Sequence, residues 1–236
     1  PAGASRPTAV LGWGDKRNTR PARAWAAAHG VPFWTLEDGP VRSVGLGVAG
    51  SEPFGFSLDR LGPAYDASRA SELEERLAGD PGTDRARAAA LMARIRTVGV
   101  CKYNHDWSPP ALEPGPRRRV LLVDQTAGDL GVLRAGGGPA AFAALLAAAR
   151  AEQADAELLV LVHPDVRAGA RRGYLAAMDL HGCRVLTRPG NPQRLLERVE
   201  RVYTVSSQLG IEALIAGVPV TCFAAPWYAG WGATDD

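Results

Sequence analysis

Cysteine is scarce in this chain of 236 residues: Cys101, Cys183 and Cys222 are odd in number and far apart. Such spacing excludes a disulfide scaffold and a zinc site, and it suits a reducing, cytoplasmic setting. No apolar run approaches the ~20 residues that a membrane-spanning helix needs. No secretory signal pattern opens the chain, and Pro1 and Asp236 read as cut points within something longer. Charge of one sign is missing too. With 27 basic against 25 acidic residues the net charge is only +2, and no basic tract carries interleaved aromatics, so nucleic acid is not an expected partner. Arg117-Arg118-Arg119 and Arg171-Arg172 read as solvated faces, with contact to an anionic membrane surface as the alternative. There is no Asp-x-Asp metal motif, and no metal is expected.

What is present reads as two halves. Ala9-Val10-Leu11-Gly12 is a short strand running into a Gly-Trp-Gly turn, followed by an Ala/Arg-rich helix near 18–29 and a second strand at 31–36. That is a β-α-β unit ending at Glu37-Asp38-Gly39. Residues 40–68 read as loops and short strands, with helices near 71–78 and 83–97. Pro109 to Pro116 reads as a linker. Beyond it strands at 119–123, 157–162, 183–186, 202–205 and 219–223 alternate with helices near 139–151, 169–180, 192–199 and 207–216. These strands are solidly Val/Leu/Ile, the pattern of a parallel sheet covered on both faces. The expected fold is α/β and GT-B-like: two Rossmann-type domains, 1–110 and 117–236, face a cleft, the second being a doubly wound parallel sheet.

Polar groups terminate three of those strands. The first ends in Asp124-Gln125-Thr126-Ala127-Gly128-Asp129, the second in His163-Pro164-Asp165, the fourth in Ser206-Ser207. In a doubly wound sheet such ends line one crevice, so Asp129, His163 and Ser206/Ser207 are expected to converge. Hydroxyls at a helix N-terminus form a ready anion site, because the first N–H groups lack partners and the helix dipole is positive there. Ser206 or Ser207 is the expected cap. Glu212, one turn on, is placed to reach ribose hydroxyls, and Gln208 a phosphate or a cytosine. The bland alternatives are a capping aspartate, a satisfied histidine and a serine-capped helix whose glutamate faces water. His29, His105 and His181 read as structural or solvated.

The stretch Val205-Ser206-Ser207-Gln208-Leu209-Gly210-Ile211-Glu212-Ala213-Leu214, followed by Trp227-Tyr228-Ala229-Gly230-Trp231-Gly232, resembles the KpsC/LipA-type capsular polysaccharide biosynthesis proteins. The similarity extends to Leu36 through Gly47, Lys102-Tyr103-Asn104, Val123 through Thr126 with Gly128-Asp129, and His163 through Val166. It departs at Gly12-Trp13-Gly14-Asp15 and Ala224-Ala225-Pro226. The resemblance implies a retaining β-Kdo transferase, which takes 3-deoxy-D-manno-octulosonic acid from CMP-β-Kdo to extend the lipid-linked oligo-Kdo linker of capsular polysaccharide. No cofactor is implied, CMP-Kdo being the donor substrate, bound by the second domain while the first serves the Kdo-terminated acceptor. It further implies a place at the inner face of the cytoplasmic membrane with peripheral attachment, a second transferase module, and capsule export machinery as a partner. By resemblance Asp129 is the nucleophile, with Asp124 competing. Glu37 is the base for the acceptor hydroxyl, and His163 with Ser206/Ser207 stabilises the departing phosphate. Arg42 and Lys102 are candidates to pair with the Kdo carboxylate, a surface ion pair being the alternative. Asn104, Gln125 and Gly128 complete the expected substrate-contacting set. Glu37-Asp38-Gly39, His163-Pro164 and Ser206-Ser207 also resemble motifs of bacterial CMP-sialic acid transferases. An inverting CMP-sugar transferase and a non-catalytic nucleotide-sugar-binding module are the competing readings.

Overall fold

The apolar run Arg119–Val123 forms β4, the central strand of a five-stranded parallel sheet. The structure is a computed structural model and describes residues 7–79 and 84–236. On one side of β4 lie β5 (Glu157–Leu161) and β6 (Cys183–Val185), on the other β7 (Arg201–Thr204) and β8 (Val220–Cys222). Alternate side chains explain why these strands lack a polar face. Leu121 and Val123 pack into a cluster with Leu195 and Leu196 of α7 (Pro192–Leu196) and Leu209 and Ala213 of α8 (Leu209–Ala216). Val120 and Leu122 point the other way, onto Phe142, Leu145 and Ala149 of α5 (Pro139–Glu152). Each large side chain removed from water in this way contributes about 1.5–3 kcal/mol. The chain leaves β4 toward β5 and returns across it to β7, so the topological switch point, where such sheets bind ligands, falls between β4 and β7.

The first half carries a smaller sheet of order β1 (Val10–Trp13), β2 (Phe33–Asp38), β3 (Phe56–Asp59). β1 and β2 are parallel, joined through α1 (Arg20–Ala28), and β3 pairs antiparallel to β2. The β-α-β reading of this half therefore holds, with a mixed edge. Helix α2 (Glu72–Ala78) starts at a capping box in which Ser71 and Glu74 each bond the other's backbone N–H. Helix α3 (Arg85–Val98) follows. Pro1, and residue 83 where the periodicity starts that helix, lie outside the described residues.

Two expectations change. The 109–116 stretch is no free linker: Leu112 sits in the core of the second half, and the Ala111 N–H bonds the Arg188 carbonyl at 3.1 Å. Helix α3 packs on α8, and Asn191 bonds the Gly99 carbonyl at 2.8 Å, so the chain joins the second half well before its prolines. The helix expected near 169–180 is absent. In its place stand α6 (Pro164–Arg167) and a single 3-10 turn at Leu175–Ala177. The reason is a carboxylate fifty residues away, described below. Between β4 and α5 stands a short α4 (Leu130–Arg134).

Candidate active site

Asp124, directly after β4, is almost wholly buried. Its carboxylate accepts backbone N–H groups from Gln125 (2.9 Å), Tyr174 (2.9 Å), Leu175 (2.8 Å) and Ala176 (3.2 Å). Those N–H groups are thereby withdrawn from the helix that the sequence pattern suggests. Burial pulls the Asp124 pKa upward against its four backbone donors. Its lone pairs are occupied, so Asp124 is a loop anchor and does not compete as a nucleophile.

The loop then turns through Gly128 (φ 77°), whose N–H bonds the Tyr174 hydroxyl at 3.1 Å. Asp129 heads α4 without capping it, and among the described residues its carboxylate has no hydrogen-bond or ion-pair partner. Its charge is felt at His163, which stands at the end of β5 and heads α6. The His163 Nδ1 accepts the Asp165 N–H at 3.1 Å, which places the proton of the neutral ring on Nε2. Burial lowers the His163 pKa, and Lys102 adds to that against the carboxylates of Asp165, Asp129 and Asp124. At neutral pH the ring is therefore a neutral donor.

At the end of β7 the two serines divide their tasks. Ser206 is spent on the loop: its N–H bonds the Gln125 Oε1 (2.9 Å), its hydroxyl accepts from the Gln125 Nε2 (3.1 Å) and donates to the Gly131 carbonyl (3.1 Å). Gln125 and Ser206, both expected to touch substrate, instead lock β4's loop to β7's end. Ser207 stands just ahead of α8, its Oγ accepting the Leu209 N–H at 3.2 Å, while Gln208 at the N-cap makes no capping bond. Behind it Tyr228 is buried and donates to the Ser207 carbonyl. A β-carbon on Gly210 would collide with the Tyr228 ring, which explains glycine there. The Trp227–Trp231 segment thus plugs the base of α8, leaving Trp231 exposed.

The first half supplies Glu37 at the end of β2. Its carboxylate is hydrogen-bonded by Tyr65, and burial raises its pKa against that bond and the charges of Lys16 and Lys102. Lys102 is the central cation: its ammonium lies 5.4 Å from the Tyr103 ring centroid and is felt at Glu37, His163 and Glu212. Burial raises the Tyr103 pKa, and the charges of Asp38 from one half and Asp165 from the other both reach it, so this tyrosine lies where the halves meet. Arg42 is committed elsewhere: it pairs with Asp38 (3.0 Å) and donates to Ser43 Oγ (3.0 Å) and the Ser51 carbonyl (3.1 Å). Of the two cations suggested for a sugar acid, Lys102 faces the junction and Arg42 holds the 40–51 loop. Asn104 is likewise structural. It sits at φ 47°, accepts the Cys101 N–H and donates to the Ser43 carbonyl, both at 3.0 Å. Glu212 is 7% exposed and accepts the Lys102 N–H at 3.2 Å, while Gln208 donates to the Pro40 carbonyl at 2.7 Å. Both expected nucleotide contacts therefore tie α8 to the first half. Burial lifts the Glu212 pKa to about 7.

Of the expected residues, Lys102 is felt at both Glu37 and His163, and Asp129, next to Gly128, at His163, while Ser207 stands at the head of α8. Tyr103 and Asp165 lie at the same junction, and Tyr65 stands behind Glu37. Tyr103 and Asp165 stand inside motifs already quoted, whereas Tyr65 sits in a loop with no motif to mark it.

A carboxylate after β4 and a helix N-terminus after β7 flank the switch point, with an imidazole at the end of the neighbouring β5, where open α/β sheets bind their ligands. The chain belongs to the family described as "Capsule polysaccharide biosynthesis protein", which it matches over residues 8–98 and 109–236. It is 42% identical to the capsule polysaccharide modification protein LipA of Neisseria meningitidis serogroup B over 97% of its length, and 36% identical to the lipopolysaccharide-processing protein LpsZ of Rhizobium meliloti over 98%. It spans 34% of the LipA protein and 54% of LpsZ. Among solved structures it resembles the β-Kdo 2,4 transferase of Thermosulfurimonas dismutans KpsC, with a TM-score of 0.89 and 41% identity over 97% of this chain and 73% of that one. The β-Kdo 2,7 transferase of the same KpsC shares the fold, with a TM-score of 0.63 at 24% identity over 97% of this chain and 69% of that one.

Proposed function

We propose that this chain is a retaining β-Kdo glycosyltransferase module that transfers Kdo from CMP-β-Kdo to a Kdo-terminated, lipid-linked acceptor. The observation that carries the reading is Asp129: an exposed, uncommitted carboxylate beside a neutral histidine, which shares the charge of Lys102 with a half-buried glutamate on the other sheet. The likeness to the β-Kdo 2,4 transferase of Thermosulfurimonas dismutans KpsC supports the substrate class.

In the first step the Asp129 carboxylate attacks the anomeric carbon while the bond to CMP breaks and its electron pair leaves with the phosphate. The His163 Nε2–H and the Lys102 ammonium, with the Ser207 end of α8, stabilise the charge that develops there. Lys102 also pairs with the sugar's carboxylate. In the second step the acceptor hydroxyl attacks the glycosyl ester, its proton passes to Glu37, and Asp129 is released. Burial strengthens Glu37 as a base. Two inversions retain the β configuration. No metal and no resident cofactor take part in this scheme. The same reading places the module at the inner face of the cytoplasmic membrane, attached peripherally. A second transferase module and capsule export machinery complete the assembly.

The test is CMP release from CMP-Kdo with and without a Kdo-terminated acceptor. Asp129→Ala should lower turnover by roughly three orders of magnitude or more, whereas an inverting enzyme would tolerate it.

A further inference from the structure

The Tyr65 hydroxyl joins two segments of the first half. It accepts the Asp15 N–H at 3.1 Å and hydrogen-bonds the Glu37 carboxylate. A phenol that accepts from an amide has its own proton left to donate, so its direction toward Glu37 is set by the bond behind it. Space around the pair is tight: Gly14 sits at φ 67°, and a β-carbon there would run into the Glu37 Oε1. Asp15 in turn pairs with Arg134 at 2.9 Å, at the far end of the helix that Asp129 heads. One line of contacts therefore runs from Glu37 through Tyr65 and Asp15 to the element carrying Asp129.

We propose that Tyr65 is a positioning residue for the acceptor-side base: held by the Asp15 amide, its phenol aims the Glu37 carboxylate and keeps it ready to take a proton. The proposal rests on the glycosyltransferase reading above. Groups facing Glu37 are Lys16 from the turn after β1, its neighbour Asp38, Lys102 from the 99–104 loop and Tyr65 itself. Burial and Asp38 favour the protonated carboxyl, the lysines and the phenol the charged one. Tyr65 supplies the largest opposition to burial. Its own pKa is raised by burial and by the Glu37 charge, so it stays a donor through the working range.

Tyr65→Phe removes the donor and leaves the ring. Glu37 should then titrate about one pH unit higher. The direct readout is a carbon-13 carboxyl titration of glutamate-labelled protein, with the Glu37 signal assigned by its loss in Glu37→Gln. The functional readout is the pH profile of kcat for Kdo transfer, whose acid limb should move up by the same amount. Plateau kcat and KM should stay within a few-fold, because the phenol touches no reacting atom. An unmoved Glu37 titration in Tyr65→Phe overturns the proposal, and does so even if Glu37→Gln abolishes turnover. A titration that moves while the rate profile stays in place also overturns it, because Tyr65 would then hold a carboxylate that the reaction does not use. Full turnover in Glu37→Gln marks the separate failure of Glu37 as base.

Discussion

Replacing Glu212 by glutamine takes away a titration while leaving an acceptor for the Lys102 N–H. In the folded chain this carboxyl is buried and holds its proton to about pH 7, against 4.5 for the unshifted group. Unfolding therefore releases a proton between those two values. The sign follows: the contribution of Glu212 to stability is complete below pH 4.5 and is lost as the pH rises through about 7. A gap of about 2.5 pH units (7 less 4.5) is worth about 3 kcal/mol at 1.36 kcal/mol per unit. His163 works in the opposite sense, since its lowered pKa makes stability fall as the solution is acidified below the ordinary histidine range. That contribution is present in both proteins and cancels in their difference. Urea unfolding followed by tryptophan fluorescence between pH 4.5 and 8 gives the free energies. Glu212→Gln should gain about 3 kcal/mol relative to the parent across that range. A difference that stays constant with pH would refute the reasoning, and with it the placement of an ionisable group at the buried α8 junction.

Two further outcomes test the frame around the site. Phe142→Ala empties the fully buried centre of the α5 face, where its ring stacks on Tyr174 at 4.4 Å; thermal or urea unfolding should register a loss of about 3–5 kcal/mol. Gly210→Ala forces a methyl group into Tyr228 beneath α8 and should cost about 1–3 kcal/mol, read as a lower urea midpoint with a changed tryptophan emission from Trp227.

The second sheet was legible because Leu121 and Leu122 point to opposite faces and are both apolar, a pattern that needs no long-range knowledge. That Asp129, His163 and Ser207 each follow a strand of this sheet is legible from the alternation of strands and helices. What failed depended on partners far away in the chain. Nothing around Tyr174 reveals that Asp124 takes its N–H from fifty residues upstream. The prolines at 109–116 suggest a linker, and only Leu112 entering the core corrects that. Lys102 and Arg42 are equivalent in the sequence pattern, and only the ion pair of Arg42 with Asp38 distinguishes them. Gln125 and Ser206 read as substrate contacts because each ends a strand at the crevice, yet each satisfies the other. Tyr65, a tyrosine in a Gly/Pro-rich loop, carries no signal in the sequence, and only the fold lays it beside Glu37.

The most direct measurement is mass spectrometry of the protein incubated with CMP-Kdo and no acceptor. The mechanism above predicts a Kdo adduct on the peptide bearing Asp129, absent from Asp129→Ala and discharged when acceptor is added. Active protein that accumulates no adduct, even with Glu37→Gln to stall the second step, would contradict a covalent intermediate on Asp129.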